Sequence, residues 1–222
     1  MIARRLLPII VATVASFASA PALAAQAYSY PSMQIPLVSN RDYTAAVSVA
    51  KGTAAFFQWR EGINSEWHFS LDAGLGDPEG RNNDLVAFGG GGVAAQVLRS
   101  TSEQPLDLLV TGSFGVAVGA GQTVVRLPVG VSMGHRFPFE GGVSLTPYIH
   151  PRLSFDRCYD CNGNNRNSSE VSVNFDVGLS FEVSPKFAIR ASGSFSGSDI
   201  VPRNDAFALG FNWIPSPLST RK

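Results

Sequence analysis

Hydrophobic and polar residues alternate along most of this chain, and two stretches keep the alternation without a slip. From 143 to 155 the odd positions are Val143, Leu145, Pro147, Ile149, Pro151, Leu153 and Phe155, and the even ones are Ser144, Thr146, Tyr148, His150, Arg152 and Ser154. From 171 to 183 the odd positions are Val171, Val173, Phe175, Val177, Leu179, Phe181 and Val183, and the even ones are Ser172, Asn174, Asp176, Gly178, Ser180 and Glu182. A period of two belongs to a β-strand with one apolar and one polar face. Each run is about 13 residues, or about 40 Å at roughly 3.3 Å per residue. Strands of soluble domains average about 5–6 residues. Tilted by about 40°, a strand of this length rises about 30 Å, the thickness of a bilayer's hydrocarbon.

The same alternation, less regular, predicts further strands at 43–50, 53–60, 66–76, 84–99, 106–119, 123–137, 186–196 and 206–213. Together they predict an all-β chain: a single closed antiparallel up-and-down transmembrane β-barrel of about ten strands, with eight as the alternative. Pro147 and Pro151 fall within one wall strand, and each lacks a donor for the ladder, which points to a local bulge. Gly89 to Gly92 mark a bend or a close approach. A phosphate-binding loop would need a following helix and a lysine, and neither is present. A soluble sandwich or a soluble ligand-binding barrel is the rival architecture.

The chain begins with Arg4 and Arg5, an apolar stretch from Leu6 to Ala20, and a small-x-small site at Ala22-Leu23-Ala24. These read as a cleaved secretory signal over residues 1–24. Residues 25–40 lack periodicity and predict a periplasmic lead-in. The barrel is expected over 41–213, and a tail over 214–222. No later stretch is long and apolar enough for a transmembrane helix.

The mature chain resembles the small outer-membrane β-barrel proteins of Gram-negative bacteria. The resemblance rests on the alternating strands, above all 143–155 and 171–183, and on the final strand Phe207-Ala208-Leu209-Gly210-Phe211-Asn212-Trp213. It implies location in the outer membrane, contact with its lipid, and a terminal aromatic read by the barrel-assembly machinery. Here nine residues follow Trp213. An even strand count places both chain ends on the periplasmic side. The connections at 61–65, 100–105, 138–142 and 184–185 are then periplasmic and short, while 77–83, 156–169 and 197–205 are external and longer, as such barrels have them. An aromatic girdle follows: Trp59, Trp67, Trp213, Phe181 and Phe187 at the periplasmic level, with Phe155 and Phe195 near the other rim.

Chemistry is confined to the lumen and the loops. The inward charges Arg60, Asp72, Arg126, His150, Arg152, Asp176, Glu182 and Arg190 carry mixed signs and predict a salt-bridged, mostly closed lumen. Glu66, His68, Asp107, Arg136 and Lys186 are expected nearer the periplasm. The function this favours is a structural or surface-contact role. A narrow pore for ions or small solutes is the alternative, resting on space beside the glycine run. An enzyme is not expected. Outer-membrane proteases set acidic and His residues at the external rim, whereas Asp77, Asp156, Asp160, Asp199 and Asp205 have no His beside them. Lipid A deacylases use a His-x-Ser pair facing lipid, whereas His68 and Ser70 point inward. Cys158 and Cys161, in a polar loop of a secreted chain, are expected as a local disulfide rather than a redox pair. A zinc site would need more ligands nearby, so no metal and no cofactor is implied. Removing Arg4 and Arg5 leaves 15 basic and 17 acidic residues, a balance of −2, which argues against nucleic acid as a partner. A monomer is expected.

Overall fold

The computed structural model describes residues 32–50, 52–78, 85–119, 122–160, 167–198 and 205–215. The signal segment expected over 1–24, Cys161, most of the far-end loops and the tail beyond 215 lie outside the described residues. The strands are β1 (Arg41–Ala50), β2 (Gly52–Gly62), β3 (Trp67–Pro78), β4 (Val86–Leu98), β5 (Asp107–Gly119), β6 (Gln122–Gly134), β7 (Phe137–Pro138), β8 (Ser144–Tyr159), β9 (Ser168–Ser184), β10 (Phe187–Ser196) and β11 (Ala206–Trp213). Each long strand pairs antiparallel with its sequence neighbours. β1 pairs with β11, from Tyr43 opposite Trp213 to Val49 opposite Phe207, and β6 pairs with β8. Ten long strands thus close into one antiparallel barrel, with the two-residue β7 as an extra rung on β8. The strand expected over 123–137 is interrupted at His135–Arg136, where a turn through Gly141 and Gly142, both at positive φ, begins.

The distribution of polarity is inverted relative to a soluble domain. The buried residues are mostly polar and face the lumen: Asp42, Thr44, Asn174, Asp176, Ser192 and Asn212 are typical. The exposed residues of the wall are large and apolar, from Val47 and Phe57 around to Leu209 and Phe211. No helix among the described residues could cross a membrane, which says nothing of a barrel.

The prolines do not cause bulges. Pro147 and Pro151 keep their places opposite Leu179 and Phe175 on β9. The ladder toward β6 lapses instead, resuming at Met133 opposite Ile149 and at Gly130 opposite Arg152. Odd positions four apart aim their missing N–H at the same neighbour, so both omissions fall on one side. Pro128 leaves a similar lapse between β5 and β6, where pairing skips from Gly112 opposite Val129 to Gly115 opposite Arg126.

Glycines on the inner face make room for rings. Tyr148 lies directly opposite Gly178, and a Cβ on Gly178 would fall 2.1 Å from its ring. Phe88 covers Gly74 in the same manner, at 2.3 Å. The rings tilt over the pleat of the next strand and fill a gap in the wall's inner lining. Gly90 serves a close approach: a Cβ there would sit 2.3 Å from the Phe114 carbonyl oxygen.

A lumen lined by ion pairs and by the chain's own N-terminal segment

Residues 32–40, the described part of the lead-in expected on the periplasmic side, run inside the bore. Met33 is fully buried and Ile35 nearly so. Ser32 reaches the middle of the lumen, and the segment returns to the rim at Asn40, where the Gly62 N–H donates to its carbonyl at 2.7 Å. This rim, where Asn40 and Trp213 lie, is called the near end below.

Three clusters of charge line the lumen, each built on register partners in adjacent wall strands. At the near end Asp42 lies between two buried guanidiniums, 3.6 Å from Arg60 and 3.4 Å from Arg190. Ser39 and Asn212 also donate to Asp42, at 2.5 and 3.1 Å. Arg190 continues to Thr44 at 3.1 Å. The two arginines share this carboxylate, and Arg60 also donates to the Met33 carbonyl.

In the middle, Arg152 donates to Asp176 at 2.7 Å, and Ser32 donates to the other carboxylate oxygen at 2.9 Å. His150 Nδ1 lies 2.8 Å from Ser32 Oγ, and its Nε2 lies 2.9 Å from Thr111 Oγ1. With its hydroxyl hydrogen given to Asp176, Ser32 can only accept, which assigns the ring proton to Nδ1 and leaves Nε2 to accept from Thr111. Toward the far end Arg126 grips Asp156 with two parallel bonds, at 2.9 and 3.1 Å. Ser154 and Ser172 complete the shell of Asp156 at 2.5 and 2.8 Å.

Of the lumen charges expected from sequence, Arg60 and Arg190 share one acid, and His150, Arg152 and Asp176 form a second group. Arg126 holds a third with Asp156. Asp72 borders a cavity of about 80 Å³ together with Ser32, Phe88, Gly89, Arg126 and Arg152. Glu182 stands apart at the rim, paired with Arg136 at 2.5 Å. Glu66 and Lys186, expected inward, sit exposed in near-end turns, because β3 begins at Trp67 and β10 at Phe187. His68 is buried on the inner face, and Ser70 shares that face.

Several functional residues are absent from the sequence expectation. Asp42 precedes the strand start placed at Tyr43, yet its even parity aims it inward. Asp156, expected among loop acids, belongs to β8, which runs to Tyr159. Phe56, Val86, Phe88 and Val124 form an apolar cluster inside the barrel with Met33 and Cys158. Parity could have found these four, since their alternating neighbours point outward.

The outer face carries the aromatic row. Phe187, Trp213, Tyr43 and Trp59 are successive cross-strand partners around β10, β11, β1 and β2. Tyr43 stacks on Trp213 at 5.5 Å and on Phe57 at 6.0 Å. Trp59 meets Phe69 edge-on at 5.3 Å, and its indole N–H donates to Glu61 at 3.1 Å. Glu61 in turn holds Arg41 at 2.6 Å, so charge begins just beyond the row. Trp67 and Phe181 are exposed on the same outer face, as are Phe155 and Phe195. Cys158 is fully buried at the far end, while Cys161 lies outside the described residues. No group of three side chains able to hold a metal occurs among the described residues.

No protein-family model matches the chain, and no curated protein does. Among solved structures the chain is similar to the β domain of the Bordetella autotransporter BrkA, with 9% identity over 78% of this chain and 97% of that one, at a TM-score of 0.51. It is also similar to a KdgM porin, with 7% identity over 79% and 99% at 0.41. Ail, the attachment invasion locus protein of Yersinia pestis, gives 14% identity over 79% and 97% at 0.31. At such identities the likeness to BrkA speaks for the fold alone, a closed antiparallel β-barrel.

Proposed function

We propose that this chain is an outer-membrane β-barrel protein of a Gram-negative envelope, with a structural or surface-contact role and a lumen that is mostly closed. The observation that carries this reading is the inverted wall. Leu71, Val93, Val129, Leu153, Val173 and Leu209 stand exposed around the outside, while arginines and aspartates are paired within. In water such an exterior would drive association, since contiguous apolar patches of monomers rarely exceed a few hundred Å². Against acyl chains it is the stable arrangement, and the closed ladder leaves no strand edge in lipid. The aromatic row, with Arg41 and Glu61 just beyond it, supports an interface at the near end, which is then the periplasmic one.

Closure is supported by three charge clusters and a chain segment in the bore. A signal over residues 1–24, export, a single-copy barrel in lipid, delivery by the barrel-assembly machinery and a Cys158–Cys161 staple belong to the same proposal. A narrow pore is the second reading, favoured by the cavity between Asp72, Arg126 and Arg152.

Fractionation of expressing cells tests the location. The protein should pellet with outer membrane and migrate faster in gels before boiling than after. A soluble, detergent-free monomer in the periplasmic fraction would refute the reading. Planar bilayers separate the two lumen states, because large stable current steps from the full chain would favour the pore.

A further inference from the structure

The segment in the bore is held through its backbone. Arg60 donates to the Met33 carbonyl at 2.7 Å, Ser132 to that of Gln34 at 2.6 Å, and Gln96 to that of Pro36 at 2.9 Å. Gln58 reaches the Ser32 carbonyl at 3.3 Å, and Gln96 accepts from the Val38 N–H at 3.0 Å. Wall side chains from β2, β4 and β6 thus hold peptide groups of Ser32, Met33, Gln34, Pro36 and Val38 in a segment that is irregular, with Met33 at φ 48°. Side chains add to this: Ser32 bonds His150 and Asp176, Ser39 donates to Asp42, and Met33 is buried in the apolar cluster with Phe56, Val86, Phe88 and Val124.

Leaving this seat would strand no charge. Residues 32–40 contain no ionisable side chain. The ion pairs they overlie join wall residues on nearby strands and include no residue of the segment: Arg60 and Arg190 with Asp42, Arg152 with Asp176. The barrel also closes through β1–β11 and β6–β8 without any rung from the segment. Breaking a buried ion pair costs several kcal/mol, whereas hydrogen bonds to a departing backbone are exchanged for bonds to water at little net cost.

We propose that residues 32–38 are a releasable stopper seated in a binding site for uncharged polypeptide, so that the barrel is a polypeptide-accepting pore held shut by its own chain. This rests on the outer-membrane reading above and specifies what its lumen binds. The site takes backbone carbonyls along one side, a slender apolar side chain at the Met33 position, and a small hydroxyl at the Ser32 position. Any chain meeting those terms competes for it.

The test uses the full chain, a deletion of residues 32–38 and the point variant Met33→Lys, each reconstituted in planar bilayers and checked for heat-modifiable migration. Met33→Lys puts a cation beside Arg60 and Arg190, where like charge repels it, and so expels the segment without shortening the chain. The full chain should stay closed, and both variants should pass ion current larger by an order of magnitude or more. The free peptide spanning Ser32–Val38, added on the periplasmic side, should block the deletion variant. Closed variants that are properly folded would overturn the proposal, as would a deletion pore indifferent to the peptide. Failure of both variants to fold would overturn it as well, since the segment would then be part of the core. Failure of the full chain to enter lipid at all would refute the outer-membrane reading itself.

Discussion

Leu209→Arg discriminates between acyl chains and water outside the wall. Leu209 is 53% exposed on the outer face of β11, between Val47 on β1 and Ala191 on β10. It lies four residues from Trp213 in the aromatic row. At roughly 3.3 Å per residue and a tilt of about 40°, that is about 10 Å along the barrel axis. The apolar band of such barrels is about 25 Å tall, so Leu209 stands close to its midplane. An arginine there should cost about 2–4 kcal/mol, falling to about 0–1 kcal/mol near an interface. Val183, 41% exposed beside the Phe187 end of β9, supplies the shallow control. The assay is equilibrium unfolding by guanidinium from phospholipid vesicles, followed by tryptophan fluorescence. A difference of about 3 kcal/mol between Leu209→Arg and Val183→Arg is about a hundredfold in the folding constant. Were the face wet, both substitutions would stay within about 0.5 kcal/mol of the parent, as exposed positions usually do. Equal, small costs for the two variants would refute the claim that lipid covers the barrel.

Asp42→Ala leaves Arg60 and Arg190 buried without their shared carboxylate and should destabilise by about 3–5 kcal/mol in the same unfolding assay. A cost under about 1 kcal/mol would mean that carbonyls and hydroxyls suffice for both guanidiniums. Gly178→Ala drives a methyl into the Tyr148 ring and should cost about 1–3 kcal/mol, whereas in a Tyr148→Ala background it should cost far less. Additive effects in that double-mutant cycle would deny the contact. Alkylation under denaturing conditions should label the protein only after reductant, at both cysteines, and label taken up without reductant would rule out the Cys158–Cys161 staple.

The wall was legible in sequence because period two is a local signal, and an apolar outer face opposite a polar inner one makes it unusually pure. Parity alone assigned Arg126, His150, Arg152, Asp176 and Arg190 to the lumen, where they lie. It also reaches Phe56 and Phe88, which sit within the expected strands, and Asp42 once the first strand is begun one residue earlier. Partner choice was less accessible. Arg126 takes Asp156 rather than an acid from the expected middle layer, because the pairing depends on stagger between β6 and β8, which no single strand encodes. The stopper was illegible for another reason. Residues 32–38 have no period to read, and what holds them is backbone chemistry common to every residue except in proline's missing N–H. Their one compositional trace is Met33 and Ile35, apolar side chains in a stretch with no strand or helix to bury them.

The three prolines bordering β6 have a mechanical corollary. Pro128 thins its lacing to β5, and Pro147 and Pro151 thin its lacing to β8. The junction of the first and last strands, by contrast, is continuous over seven rungs. β6 is therefore the loosest stave. Its amide protons should be the first in the wall to trade with deuterium, and under lateral tension the cask should part beside β6, away from where its two ends were joined.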